Sequence, residues 1–318
     1  MFSIVFKVVI NTKEKIIFYI FNIKITIDKN RLSNRVLKKN NAIYENENKI
    51  SLKPNIIPKE QTLDVLLETE KSICRYGDGE FTIIGGYGIG FQEYDCYLAN
   101  RLKEILKNKR EDLLVGIPNI FGSLNKYDKD GQNYWRKYLY ENREKIYEYL
   151  DMDKQYYDAF ISRPYFIFKN KICDDYFHKI KKLWENKDIL IVEGRFSRLG
   201  YKNNLFDNVS SIKRILCPEQ NAWNKYREII RCCQGISKEK LFIIALGPTA
   251  TVLAHDLSNL GYRALDLGHI DIEYEWFLRK AKTKTVIKDK YVNENFKGTR
   301  VNTNVTKEFQ HEILYDLS

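Results

Sequence analysis

The rhythm of apolar and polar positions changes several times along the chain. Ile23, Ile25 and Ile27 alternate with Lys24 and Thr26, a period of two that predicts a strand with one apolar face. The apolar stretch before it is interrupted by charge. Its longest uncharged run, residues 16–23, is far shorter than the ~20 residues of a spanning helix. No small-residue cleavage site follows it, so a signal peptide is not expected. Residues 30–58 are rich in Asn and Lys, carry Pro54 and Pro58, and read as a linker. From about residue 60 the pattern becomes regular. Helical spacing predicts helices over 61–70, 95–109, 132–150, 174–185, 221–233 and 249–260. Short apolar runs between them predict strands near 72–74 and over 113–117, 157–162, 189–192, 211–216, 241–246 and 263–267. Strands alternating with helices indicate an α/β fold with a mostly parallel sheet covered on both faces. The expected division is a lead segment and linker over 1–58 and one domain over 59–318.

One stretch in this frame carries candidate chemistry. Residues 71–80, KSICRYGDGE, end a buried strand and run into a turn, with Gly77 and Gly79 flanking Asp78 and Glu80 closing it. Glycines let the backbone turn tightly and approach a ligand. If this turn is extended, Asp78 and Glu80 point the same way. Two carboxylates aimed at one spot form a hard-oxygen site suited to Mg²⁺ or Mn²⁺ on a diphosphate. Ligands of open α/β sheets bind at that strand edge. Asp-Gly is also an ordinary turn dipeptide, so the triplet needs support from elsewhere.

Three further loops fall at predicted strand ends. Residues 193–208, EGRFSRLGYKNNLFDN, offer Arg195, Ser197, Arg198, Gly200 and Asn204, donors suited to a phosphate or ribose. Gly247, Pro248 and Thr249 open a helix whose free N–H groups suit an anion, though capping alone explains the same residues. In GHIDIEYEW, residues 268–276, His269, Asp271, Glu273 and Glu275 alternate with apolar side chains. Extended, they share one face; helical, Asp271 and Glu275 stack a turn apart. Either geometry offers a general base for a hydroxyl.

Composition adds a partner class. There are 53 Lys and Arg against 42 Asp and Glu, a formal charge of +11. The basic residues are scattered without a block or a nucleic-acid motif, so nucleic acid is not an expected partner. Anionic small molecules or a membrane surface remain, the latter through residues 1–30. Six cysteines form no C-x-x-C pair, which suits reduced thiols in a cytoplasmic protein.

RYGDGE, IVEGRFSRLGYKNNLFDN, IKRILCPEQNAW, LGPTATVLAHDLSNLGYRALDLGHIDIEYEW and KYVNE occur in an order that resembles the bacterial GT-D glycosyltransferases, over roughly residues 60–295. The resemblance implies a Rossmann-like fold and transfer of a hexose, glucose in the characterised case, from a UDP-sugar to a glycan or lipid-linked glycan acceptor. It implies a divalent metal at Asp78 and Glu80. It implies that Arg75, Gly77, Gly79, Ser197, Arg198, Gly200, Asn204, Gly247, Pro248 and Thr249 lie at the nucleotide-sugar. It implies a base among His269, Asp271, Glu273 and Glu275. Arg195 departs from the acidic or neutral residue expected there. Competing readings are a non-catalytic sugar-nucleotide or glycan-binding subunit and another Rossmann-like nucleotide enzyme. The latter lacks its G-x-G-x-x-G fingerprint here.

Overall fold

The computed structural model describes residues 52–171 and 173–318 with their side chains, Phe296 excepted, and the backbone of 7–11, 15–20 and 23–28. The chain divides into two compact units, 1–52 with 129–143, and 53–128 with 144–318.

In the smaller unit, β1 (Lys7–Asn11), β2 (Lys15–Ile20) and β3 (Ile23–Asp28) form an antiparallel meander. The alternation of Ile23, Ile25 and Ile27 falls on β3. Residues 29–51, most of the expected linker, lie outside the described residues. The end of that linker is not a linker. Asn55–Ile57, between Pro54 and Pro58, is strand β4 and pairs in parallel with β7 (Gln155–Asp158). The two prolines bracket an edge strand, where a missing N–H costs little.

The larger unit is built on nine parallel strands in the order β12-β9-β8-β10-β11-β5-β6-β7-β4. These are β5 (Ser72–Arg75), β6 (Leu113–Ile117), β8 (Asp188–Gly194), β9 (Ser211–Cys217), β10 (Leu241–Ala245), β11 (Ala264–Asp266) and β12 (Ile313–Asp316), with β4 and β7. Every residue of LLVGI in β6 and LFIIA in β10 is buried, as expected for strands covered on both faces. The edge strand β12 is mostly exposed. Its four residues, ILYD, are too short a run to signal a strand.

Helices α1 (Lys59–Glu68), α3 (Cys96–Leu106), α4 (Lys129–Tyr149), α5 (Asp174–Lys181), α6 (Tyr226–Gln234) and α7 (Pro248–Asn259) match the helical spacing. Asp95 caps α3 by accepting the Leu98 N–H at 2.8 Å. The expected 157–162 strand is shorter than its apolar run. After β7 the chain turns into a 3₁₀ segment, Ala159–Ser162, capped by Asp158. Two helices had no forerunner, α2 (Asp78–Ile84) and α9 (Lys307–Glu312), while α8 (Ile270–Leu278) takes the helical of the two alternatives for 268–276. Because all nine strands are parallel, every strand-to-helix loop opens at one edge of the sheet. The connections leaving β8 and β10 run to opposite sides, toward β9 and β11, which leaves a crevice between them.

Candidate active site at the C-terminal edge of the sheet

The site is framed by Arg75 at the end of β5. Its guanidinium donates to Asp266 Oδ1 (3.0 Å) and Asp266 O on β11, and to Ala159 O (3.0 Å) after β7. To reach Ala159 it crosses β6 at Gly116, where a Cβ would lie 3.3 Å from Arg75 Cγ and from Ala159 Cα. Gly268, at φ 45°, clears the other side; a Cβ there would lie 2.4 Å from Arg75 Nη2. Arg75 therefore ties β11, β5 and β7 together and its donors are held by the protein.

Asp78 and Glu80 follow directly, in a geometry that differs from the extended turn. Both lie in the first turn of α2, with Gly77 as N-cap. Two apart on a helix, they do not share a face. Glu80 folds back, its Oε2 accepting the Gly77 N–H at 2.6 Å, as the third residue of a capping box does. Burial, reinforced by Asp266 and Asp78, pushes its carboxyl up to about 7. Asp78 is half-buried beside it, and its charge reaches Arg163. Among the described residues no group of three or more His, Cys, Asp and Glu is arranged to hold a metal by itself. Asp78 and Glu80 are hard-oxygen donors of the kind a divalent cation takes, although Glu80 Oε2 is engaged by the Gly77 N–H.

Opposite them stands an arginine that sequence reasoning missed. Arg163, just past the 3₁₀ segment, donates to Glu294 Oε1 at 2.6 Å. Burial opposes its charge, yet Glu294, Glu273 and Asp78 hold the guanidinium firmly protonated. Burial alone would raise Glu294, but Arg163, His269 and Lys284 hold it well below the usual carboxylate range. Glu294 Oε2 is buried with no hydrogen-bond partner among the described residues. Its only forerunner in the sequence was the unassigned KYVNE.

The four candidate bases separate sharply. Asp271 accepts the Gly200 N–H (2.8 Å) and Asn203 Nδ2 (2.8 Å), and pairs with Lys290 Nζ at 2.6 Å. Glu275 takes Asn203 Nδ2 (2.9 Å), Lys290 (3.3 Å) and Arg279 (2.9 Å). Burial would raise its carboxyl, but Lys290, Asn203 and Arg279 hold it down. Glu273 is fully buried, its Oε2 accepting the Tyr165 and Phe166 N–H groups at 3.0 and 2.9 Å. Helical geometry for α8 puts all three carboxylates in the interior with fixed partners. His269, the N-cap residue, is only half-buried. Its Nε2 lies 2.9 Å from Asn293 Oδ1, an acceptor, so Nε2 carries the hydrogen and Nδ1 is the acceptor. Burial, with Arg163 beside it, pulls its pKa down to about 4, so the ring is neutral at physiological pH.

The expected nucleotide residues also divide. Arg198, at φ 51° and 2% exposed, donates to Asp289 O (3.0 Å) and Asn302 O (2.6 Å), fastening its loop to the C-terminal segment. The same loop is clamped from below. Glu193 accepts the Leu199 N–H at 2.7 Å, Arg214 donates to Leu199 O at 2.9 Å, and the two side chains are ion-paired in the core. Ser197 and Gly200 are half-buried and Asn204 is exposed, its Oδ1 accepting from Tyr274 at 2.8 Å. Gly247 is exposed, at φ 54° and close under Phe91, whereas Pro248 and Thr249 are buried and the Thr249 hydroxyl has no hydrogen-bond partner among the described residues. Gly77 and Gly79 are half-buried next to Asp78. Arg195 is exposed and donates to Ser318 Oγ at 2.9 Å.

An all-parallel sheet with its polar cluster at the strand C-termini defines a Rossmann-like α/β protein. The comparisons narrow this. Residues 73–295 match the family model described as Glycosyltransferase GT-D fold. A probable glycosyl transferase, Gly, of Streptococcus gordonii is 42% identical over 245 residues, 76% of this chain and 36% of that protein. Glycosyltransferase GlyD of Streptococcus pneumoniae is 38% identical over 238 residues, 74% of this chain and 29% of that protein. The chain thus spans about a third of the length of these relatives. A solved glycosyltransferase from Streptococcus sanguinis shares 39% identity and superposes with a TM-score of 0.80, over 84% of this chain and all of that one. A second solved domain, described as having a distinct glycosyltransferase fold, gives 35% and 0.81 over 88% of this chain and all of that one. The chain belongs to the GT-D-fold glycosyltransferases.

Proposed function

We propose that this chain moves a hexose, glucose foremost, from a UDP-sugar to a glycan acceptor in bacterial surface polysaccharide or glycoprotein glycan synthesis. The observation that carries this reading is the convergence at one sheet edge of two carboxylates on a helix N-terminus, a firmly charged arginine and a neutral imidazole. Asp78 and Glu80 would hold Mn²⁺ or Mg²⁺ against the diphosphate, and the ion would neutralise charge on the departing UDP. Arg163 adds a fixed positive charge on the same side. In a direct displacement the acceptor hydroxyl oxygen bonds to the anomeric carbon and the bond to the UDP oxygen breaks. UDP leaves with that electron pair. His269 Nδ1 takes the hydroxyl proton, because it alone among the four candidates is partly open and unprotonated. A cytoplasmic setting with residues 1–30 near an anionic membrane surface draws on the lysines scattered among the apolar residues of that segment.

The test is a screen of nucleotide sugars by thermal shift and UDP release, with Mn²⁺ or with EDTA. A native-state ligand raises the melting temperature by mass action. A UDP-hexose should stabilise the chain and be turned over only with metal. His269→Ala should lower kcat about 10²–10⁴-fold with little change in donor KM. Stabilisation by a nicotinamide dinucleotide instead of UDP would overturn the reading, and an unchanged kcat would remove His269 from it.

A further inference from the structure

The segment that returns from α8 to the site is basic and firmly held. Residues 279–288, RKAKTKTVIK, carry five Lys and Arg and no acid. Ala281, Thr283 and residues 285–287 interrupt the run, so it does not read as a block in the sequence. Helix α8 ends in a Schellman pattern. The Lys280 N–H donates to Phe277 O and the Ala281 N–H to Trp276 O, both at 2.9 Å, with Lys280 at φ 49° where glycine is usual. Three side chains then grip the carbonyls of the loop. Tyr165 donates to Ala281 O (3.1 Å), Asn295 Nδ2 to Lys284 O (2.8 Å) and Trp276 Nε1 to Thr285 O (3.0 Å). Ile287 is buried beneath them. Lys280, Lys282 and Lys288 are left exposed, with two apolar side chains among them, Leu278 at 46% and Val286 at 38% exposure.

Counter-charge is shared unevenly along this loop. Arg279 pairs with Glu275 at 2.9 Å and Lys284 with Glu294 at 3.6 Å. Lys280, Lys282 and Lys288 have no ion pair among the described residues, and Asp289, next to Lys288, is paired with Lys202 at 2.8 Å. The α8 dipole accounts for cations at 279 and 280 but not for those further on. Lys284 also fixes where the loop lies, because its partner Glu294 is itself held by Arg163 in the candidate site.

We propose that residues 278–288 are a docking surface for an anionic phospholipid membrane, separate from residues 1–30. Lys280, Lys282 and Lys288 meet the headgroups, and Leu278 and Val286 reach the acyl boundary. Unpaired lysines beside exposed apolar side chains are the chemistry of such a contact. A single-stranded nucleic acid would call for aromatic side chains to stack on, and none of residues 278–288 is aromatic. A loop held at three carbonyls before contact loses little freedom on binding. On the transferase reading above, the surface brings the Arg163–Glu294 side of the site to an acceptor carried on lipid.

Sedimentation of the full chain with vesicles tests this, using equal parts of phosphatidylglycerol and phosphatidylcholine against phosphatidylcholine alone. Binding is expected only with phosphatidylglycerol and should weaken as salt rises. Lys280→Gln, Lys282→Gln and Lys288→Gln together should weaken it about a hundredfold, with an unchanged melting curve because all three side chains are exposed. The same loss of charge at three exposed lysines elsewhere, Lys103→Gln, Lys107→Gln and Lys238→Gln, should leave binding within about twofold of the wild type. No binding to phosphatidylglycerol, equal binding by the first variant, or an equal loss in the second would overturn the surface. Capture of single-stranded nucleic acid instead of vesicles, lost in the first variant, would assign it to nucleic acid. Vesicle binding needs no donor, so a failed UDP titration would remove the transferase reading and leave this result standing.

Discussion

Two sets of carboxylates lie along one edge of the sheet in opposite settings. Asp271 and Glu275 on α8 share a buried cation, Lys290, whose side chain is 1% exposed, and both accept from Asn203. Asp78 and Glu80 sit half-buried at the start of α2, and Glu80 holds its charge so reluctantly that it titrates near 7. The inner set is matched and spends its lone pairs holding the SRLG–NN loop. The outer set lies partly open at a helix N-terminus, where we propose that it meets a metal-diphosphate. Acidity along a sequence does not separate these roles; the partners do.

Removing the cation of the inner set should have the largest effect. Lys290→Met leaves the buried Asp271 without its cation and Glu275 with Arg279 alone, and should cost about 3–5 kcal/mol of stability by denaturant unfolding. A loss under 1 kcal/mol would break the contrast between the sets.

A change of pH sharpens it next. Glu80 has its folded pKa near 7 against an ordinary 4.5, so its contribution to stability is present below pH 4.5 and is lost as pH rises through about 7. His269 runs the other way. Its folded pKa near 4 against 6.5 gives a contribution present above pH 6.5 and lost as pH falls through about 4. Melting curves across pH 4–8 should show both slopes, with Glu80→Gln flattening the first and His269→Ala the second. Mn²⁺ affinity should climb as pH approaches 7, because the ion must displace the Glu80 proton. Affinity independent of pH would detach Glu80 from the metal.

The smallest effect is expected at Arg195, which pairs with Asp316 at 3.8 Å on the surface. Arg195→Ala should change stability by less than about 1 kcal/mol. An altered donor KM in the same variant would place Arg195 at the nucleotide-sugar after all.

The apolar runs that become β6, β8 and β10, and the amphipathic spacing of α3, were legible because each is decided by local burial. The Asp78–Glu80 triplet was legible as chemistry but not as geometry. Its helical form depends on Glu80 capping Gly77, an interaction that competes with an ordinary Asp-Gly turn in the same residues. In GHIDIEYEW, alternation and helical spacing coincide. Lys290, Asn203 and the Tyr165–Phe166 backbone, 19 to 108 residues away, decide that the acids turn inward. Arg163, Glu294 and the Glu193–Arg214 clamp on Leu199 are long-range pairs whose members carry no local pattern. The edge strands β4 and β12 were missed because three and four residues are too short a run to set a period.

The most direct measurement is a calorimetric titration of UDP into the wild type and Asp78→Asn, each with and without Mn²⁺, alongside a melting curve of both. Metal-dependent UDP binding in the wild type, lost in a variant that still melts as a folded protein, is the result this account predicts. Equal UDP binding by the two proteins would contradict it and return Asp78 to the role of an ordinary helix-terminal acid.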